Sequence, residues 1–291
     1  MRLLLPIILL SCATVDAQQL RVVPGTDDPM QLQFDAAFAQ RNRVASVNGQ
    51  LHVKRDREPM YPRKEFHLYR FDEQGRLIYR NTNHGEPGSG HDTIFTKYLF
   101  DTAGLERERR HRDAGGDFAL VQEHDTQGRV VREVHQRLED VDGLSRTEIS
   151  DERFTYKVIN DTVWMRTTLN NLGLPYREQR YTSDKLGYLR SIEDRYLISE
   201  RRSRITFTYD EQGRLAERVE QPDLRNTATL THRWSYDRVG NPTTRDMYRG
   251  DRHVTHQEFL YEEGTLFLKA LLSKDVETGT IFVTKYTTTR L

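Results

Sequence analysis

The stretch Ile205-Thr206-Phe207-Thr208-Tyr209-Asp210-Glu211-Gln212-Gly213-Arg214-Leu215 constrains the fold more tightly than any other part of the chain. Ile205, Phe207 and Tyr209 alternate with Thr206 and Thr208, the period of two expected of a pleated strand with one face covered. Asp210 stands three residues ahead of Gly213. Asp at the first position of a type I turn accepts backbone hydrogen bonds. Gly at the fourth position takes the left-handed conformation that closes a hairpin with a bulge. The segment therefore reads as strand, tight turn and return strand.

The unit recurs. Phe71-Asp72-Glu73-Gln74-Gly75-Arg76-Leu77 nearly duplicates it, and the same spacing joins Asp101 to Gly104, Asp125 to Gly128, Asp184 to Gly187 and Asp237 to Gly240. Asn170 replaces Asp ahead of Gly173, and Asn makes the same side-chain turn bond. Gly187 to Gly213 is 26 residues and Gly213 to Gly240 is 27, whereas Gly104 to Gly116 and Gly116 to Gly128 are each 12. The shorter step is one strand plus one turn, and the longer is a hairpin. The expectation is an all-β chain, a long antiparallel meander of repeated hairpins forming a twisted, curled sheet, because a flat one with open edges would aggregate. Gly or a turn cluster interrupts almost every window before three helical turns accumulate.

Composition removes some functions. Lys plus Arg equals Asp plus Glu at 44 each, so net charge gives no argument for nucleic acid as a partner. The 14 Tyr, 12 Phe and 2 Trp argue for a packed fold despite 30% charged residues. Cys12 is the only cysteine, so disulfides do not hold the fold.

The expected division of the chain has three parts. Residues 1–17 read as a signal peptide: Arg2, the apolar run Leu3 to Leu10, then Val15-Asp16-Ala17 with cleavage before Gln18. Leu9-Leu10-Ser11-Cys12 is the rival, a lipoprotein box with Cys12 lipidated. Residues 18–65 read as a lead-in, exposed from Gln18 to about Met30. From Gln31 to Arg43 a short helix and an irregular strand are both open, and Asn48-Gly49 suggests a hairpin over 44–53. Residues 66–291 carry the repeats, and no later stretch has the length of a transmembrane helix.

Tyr209-Asp210-Glu211-Gln212-Gly213-Arg214 and Tyr236-Asp237-Arg238-Val239-Gly240-Asn241 resemble the tyrosine-aspartate (YD, or Rhs) repeat, whose core is Tyr-Asp-x-x-Gly-Arg/Asn. Phe71 to Leu77 and Phe100 to Leu105 resemble it with Phe for Tyr. The resemblance implies a long β-sheet that spirals into a shell around a cargo or decorates a cell surface. Ending at Thr287-Thr288-Thr289-Arg290-Leu291 without a toxin-like domain, the chain is similar to a short, secreted, free-standing member.

Candidate chemistry is sparse. Asp72, Asp101, Asp125, Asp184, Asp210 and Asp237, with Gly75, Gly104, Gly128, Gly187, Gly213 and Gly240, are explained as turn residues. His84, Glu86, His91 and Asp92 share a Gly-rich loop, but their spacing fixes no ligand geometry, so no metal is assigned. His111, His124 and His135 fall on successive predicted strands and read as exposed strand histidines. No nucleophile elbow, phosphate loop, dinucleotide fingerprint or His-Glu-x-x-His motif is present, so neither catalytic residues nor a cofactor are assigned. Trp164, Tyr176, Tyr181, Tyr188, Trp234 and Tyr236 are the candidate ligand-binding rings, set among Arg-rich strands. Charges on both faces of Arg177-Glu178-Gln179-Arg180-Tyr181 oppose an outer-membrane barrel. The expected function is an exported, non-enzymatic binding or structural module at the cell envelope, in the periplasm or at the surface. Its expected partner is a glycan or another envelope protein. The alternatives are a secreted glycan or cell-wall hydrolase, and an accessory or immunity partner of a larger Rhs-type protein that binds by adding strands at a sheet edge.

Overall fold

A computed structural model of the chain describes residues 18–55, 57–84, 94–140 and 143–291, so the expected signal peptide over 1–17 lies outside the described residues. The turn chemistry forms as read. The Asp210 carboxylate accepts the Gln212 and Arg214 N–H groups at 3.0 and 2.9 Å. The Gly213 N–H donates to the Asp210 carbonyl at 3.0 Å, and Gly213 has φ +77°. Two further contacts explain the residues that flank the turn. The arginine after the glycine folds back, so that Arg76, Arg129 and Arg214 each donate Nε to their own turn aspartate at 2.7 Å. The tyrosine before the aspartate reaches the neighbouring hairpin: the hydroxyls of Tyr209, Tyr236 and Tyr261 donate to the carbonyls of Leu189, Leu215 and Pro242 at 2.7, 2.6 and 3.0 Å. Each acceptor lies two residues after the preceding turn glycine.

Among the described residues, eighteen antiparallel strands form one closed barrel. Two short strands, β1 (Leu20–Arg21) and β2 (Gln33–Phe34), and helix α1 (Ala36–Arg41) come first. The wall opens with β3 (Val44–Lys54), β4 (Tyr61–Phe71), β5 (Leu77–His84), β6 (Phe95–Phe100), β7 (Glu106–Asp113) and β8 (Gly116–His124). It continues through β9 (Val130–Leu138), β10 (Arg146–Asn160), β11 (Val163–Leu169), β12 (Pro175–Ser183), β13 (Leu189–Tyr196) and β14 (Arg202–Tyr209). The last strands are β15 (Leu215–Gln221), β16 (Leu230–Tyr236), β17 (Pro242–Arg249), β18 (Arg252–Tyr261), β19 (Leu268–Asp275) and β20 (Ile281–Arg290).

The meander is as expected, but the curled open sheet is not: β20 pairs along its whole length with β3, and the barrel shuts. The expected hairpin over 44–53 is the reason this was hidden. Val44 to Lys54 is one strand with Asn48-Gly49 at its middle. Gly49 serves close approach and not a turn, since a Cβ there would lie 2.6 Å from the Tyr286 ring of β20. A full-length first strand gives the last strand a partner, and both edges disappear. The wall thus starts at Val44, well before residue 66. The open or shell-forming sheet implied by the YD resemblance is set aside, because the repeated turn is a hairpin device that a closed barrel uses equally well.

The lead-in is also corrected. Residues 18–43 keep exposed positions such as Val23, but Gln19, Leu20, Leu32, Asp35, Phe38 and Ala39 are buried, and the segment enters the barrel as a plug. Leu20, Leu32, Phe38 and Ala39 pack against Val44, Val47, Tyr69, Phe71, Phe259, Phe267, Leu268 and Tyr286 of the wall. Helix α1 is capped by Asp35, which accepts the Phe38 N–H at 2.6 Å. Full burial of a Leu or Phe side chain is worth roughly 1.5–3 kcal/mol, so a plug carrying several of them is part of the core. The turns at Asp72, Asp101, Asp125, Asp184, Asp210 and Asp237 all fall at one rim, because an even number of strands separates them. Helix α1 sits against that rim at one turn, its Ala36 carbonyl lying against Gly75.

Candidate functional site

Cross-strand register decides which side chains face the lumen. Arg109, Leu120 and His135 share a face across β7, β8 and β9, and Arg166, Gln179 and Asp194 share one across β11, β12 and β13. Of these, Arg109, Leu120, Arg166, Gln179 and Asp194 line a cavity of about 710 Å³ bordered by Gly25, Thr26 and Asp27 of the plug, and His135 lines a neighbouring one. The opposite face of the wall is laced with ion pairs. Arg132 binds Asp151 through Nε and Nη2 at 2.9 Å each, and Arg233 binds Glu217 at 2.6 Å. Ala119 and Val134 on that outer face are buried, a small-residue layer flanked by long charged side chains.

The chamber wall carries a continuous polar chain. Arg177 Nε donates to both Asp194 carboxylate oxygens at 2.9 Å. Gln179 donates to Asp194 at 3.3 Å and accepts from Arg166 Nε at 2.9 Å. Arg166 lies 4.8 Å over the Phe154 ring and has no carboxylate partner among the described residues. Its positive charge is met by the Gln179 amide oxygen alone, which solvates but does not neutralise it. Two carboxylates face the same space. Glu133 and Glu152 are directly opposite in the ladder, the first accepting from Gln122 at 2.9 Å and the second from the Tyr176 hydroxyl. Burial, then the bond to Glu152, pushes the Tyr176 phenol up, so it stays a donor.

Below the chamber, wall arginines hold the plug by its backbone. Arg218 Nη1 donates to the Thr26 carbonyl at 2.5 Å. Arg245 donates to Pro29 and Met30 carbonyls at 2.5 and 2.9 Å and to Gln257 at 2.7 Å. His232 sits between them, 1% exposed, neither ring nitrogen having a hydrogen-bond partner among the described residues. Burial first, then Arg245 and Arg218, lowers its pKa from 6.5 to about 4. The unfolded chain therefore binds a proton that the folded chain refuses as pH falls through this window. Stability should drop by roughly 3 kcal/mol between about pH 6.5 and pH 4. In His232→Leu most of that slope should vanish, with a remainder from His67, whose pKa burial also lowers. Denaturant unfolding at pH 7 and pH 4.5 checks this, and equal slopes in the two proteins would refute it.

The candidate rings divide. Tyr181 lines the chamber and stacks on Trp164 with centroids 3.8 Å apart, and Tyr176 reaches in to Glu152. Tyr188 packs on Tyr209 at 4.9 Å, Trp234 is buried against the plug and Tyr236 is bonded to Leu215. The last three are thus wall and core residues. His111 and His135 face the lumen and stay part-exposed, the His111 side chain at 39%, with its Nδ1 3.2 Å from the Thr96 hydroxyl. Reasoning from sequence missed Arg166, Gln179, Asp194, Glu133 and Glu152. Their signal was present in the alternation of charge along these strands, but only closure tells which face is enclosed. Glu86, His91 and Asp92 lie outside the described residues. Among the described residues, the group of His, Asp and Glu side chains whose ligand atoms converge is Asp246, His253 and His256, on the outer wall.

No family model matches the chain, and no curated protein matches it. Solved structures do. A porin-like protein from Bacteroides uniformis is 11% identical, covering 85% of this chain and 97% of its own, with a TM-score of 0.38. A porin-like protein from Bacteroides vulgatus is 10% identical, covering 83% of this chain and 98% of its own, with a TM-score of 0.34. The structure of TcdB2-TccC3-Cdc42 matches over 74% of this chain and 14% of its own at 12% identity, with a TM-score of 0.28. Likenesses this distant identify neither a family nor an activity. With no family model and a shut barrel, the assignment to YD repeats is withdrawn. No helix among the described residues is long and apolar enough to cross a membrane.

Proposed function

We propose that the chain is a non-enzymatic binding module of the cell envelope, exported by its leader, and that its chamber takes a glycan segment. The observation that carries this is the lining: planar hydrogen-bonding groups at Arg166, Arg177 and Gln179 beside the rings of Tyr181 and Tyr196. Such a mixture of stacking surface and fixed donors and acceptors suits a polyhydroxylated ligand. The plug contributes Gly25, Thr26 and Asp27 to the border of the chamber. The charged outer wall argues against lipid contact, since a spanning barrel needs an outward apolar band.

The rivals fit less well. A glycan hydrolase needs one neutral carboxylic acid beside an ionised one. Glu133 and Glu152 are instead each engaged by a neutral hydrogen-bond donor, Gln122 and Tyr176, and nothing sets one apart as the acid. A partner that adds strands needs a free edge, and the pairing of β20 with β3 leaves the barrel none. Glycan arrays and titration calorimetry with soluble peptidoglycan fragments and neutral oligosaccharides test the proposal. Binding should be saturable and weaken at least about tenfold in Arg166→Ala, a typical loss for a hydrogen bond to a charged group. Arg233→Ala, which removes an outer-wall partner of Glu217, should leave it unchanged. Failure to bind any of these, or equal loss in both variants, would end this reading.

A further inference from the structure

The outer wall carries a second arrangement that the chamber does not use. On β17 and β18, Asp246 Oδ1 lies 2.9 Å from His253 Nε2 and 2.7 Å from His256 Nδ1. All three ligand atoms fall within 4.8 Å of one another. A regular strand would send His253 and His256, three residues apart, to opposite faces. A β-bulge prevents this. Met247 pairs with Thr255 and Tyr248 with His253, so Val254 is an extra residue that returns His253 to the face of His256. The bulge does for this side-chain set what no alternation pattern could.

We infer that Asp246, His253 and His256 form a binding site for a zinc-class divalent metal ion. Two imidazole nitrogens and one carboxylate oxygen are the donor set such ions favour. Around a tetrahedral ion with bonds near ~2.0–2.1 Å, neighbouring ligand atoms stand about 3.3 Å apart, a spacing these atoms reach by small side-chain movements. Three protein ligands leave the remaining position to water.

The surroundings support the same assignment. The other ring nitrogen of His256, Nε2, is 3.3 Å from Glu258 Oε1, the carboxylate-to-histidine contact that orients metal-bound imidazoles. The Tyr248 ring stacks on His253 at 4.6 Å and 19°, fixing the plane of that imidazole. Arg233, the cross-strand partner of Asp246, is drawn away to Glu217 and lies 5.0 Å over the Tyr248 ring. Lys274 stands opposite His256 on β19. The three ligands are half-buried, with side-chain exposures of 24–32%. Solvent therefore reaches the site, and the ion should exchange readily with chelators.

The test uses the full chain without a purification tag, stripped with chelator and titrated with zinc chloride by calorimetry and against a chromophoric chelator. One equivalent should bind. His253→Gln and His256→Gln should each weaken it at least about tenfold, and Glu258→Gln by about 10–100-fold as an orienting group. His124→Gln, at the turn-rich rim, should not change it. Cobalt substituted for zinc should give the visible bands of a tetrahedral nitrogen–oxygen site, and these should disappear in His253→Gln. Melting in chelator keeps folding separate from binding, and Asp246→Asn, which preserves shape, replaces any histidine variant that does not fold. Absence of a stoichiometric site, or zinc binding unaltered in the double histidine variant, would overturn the assignment.

Discussion

Arg245→Met is expected to lower the stability of the barrel by about 3–5 kcal/mol, the range typical of breaking a buried charged contact from one side. The guanidinium is only 3% exposed. Burial lowers its pKa to about 10, which measures how costly the enclosed charge is. That cost is offset by the Pro29 and Met30 carbonyls and by Gln257. Methionine keeps much of the apolar stem but leaves two plug carbonyls without this donor, each worth about 1–3 kcal/mol when buried. The loss should appear as a lower denaturant midpoint at nearly constant slope. Hydrogen exchange should rise first in residues 18–34, since Arg245 holds the plug and not a neighbouring strand. Arg204→Met on the outer wall is the control. Its partner Glu193 is 43% exposed, so the change should stay within about 1 kcal/mol. A small effect at Arg245 with no change in plug exchange would mean that packing alone seats the N-terminal segment.

Local rules were legible in this sequence because their causes are local. Asp210, Gly213 and the alternation of Ile205, Phe207 and Tyr209 need only a few neighbouring residues to define a hairpin. Closure is a different kind of fact. It depends on Val44 to Lys54 meeting Ile281 to Arg290, a pairing over more than 200 residues that no window contains. Asn48-Gly49 actively obscured it, because the dipeptide that favours positive φ in a turn also suits a strand where a ring crosses closely. The plug was hidden by composition: Pro24-Gly25 and Asp27-Asp28-Pro29 look like solvent-exposed chain. The Thr26 and Pro29 carbonyls in this stretch are instead held by Arg218 and Arg245 from strands far along the sequence. The chamber followed the same logic. Arg177-Glu178-Gln179-Arg180 has charges on both faces, and the barrel gives them separate tasks, with Arg177 and Gln179 enclosed and Glu178 and Arg180 outside.

Gly75→Val should be far more damaging than Gly187→Val, although both glycines occupy the same place in the same turn. Their φ values are +75° and +88°, so valine meets comparable backbone strain at each, about 1–3 kcal/mol. Around Gly187 there is open space, and the strain should be nearly the whole effect. At Gly75 a Cβ would fall 2.1 Å from the Ala36 carbonyl oxygen and 2.5 Å from the Gln40 backbone nitrogen. Both are backbone atoms of α1, so no side-chain rotation relieves the clash. The helix must lift from the rim, uncovering Phe38 and Ala39 and breaking the edge-on contact of Phe38 with Phe267 at 5.7 Å. The added loss should be at least about 2–3 kcal/mol, the scale of exposing a buried aromatic ring. Thermal and denaturant unfolding of the two variants measures the difference directly. It also locates α1, because only a helix seated on this rim can make one turn glycine irreplaceable while its counterpart four hairpins away tolerates a side chain at the cost of strain alone. Equal destabilisation would mean that α1 does not bear on the turn at Gly75.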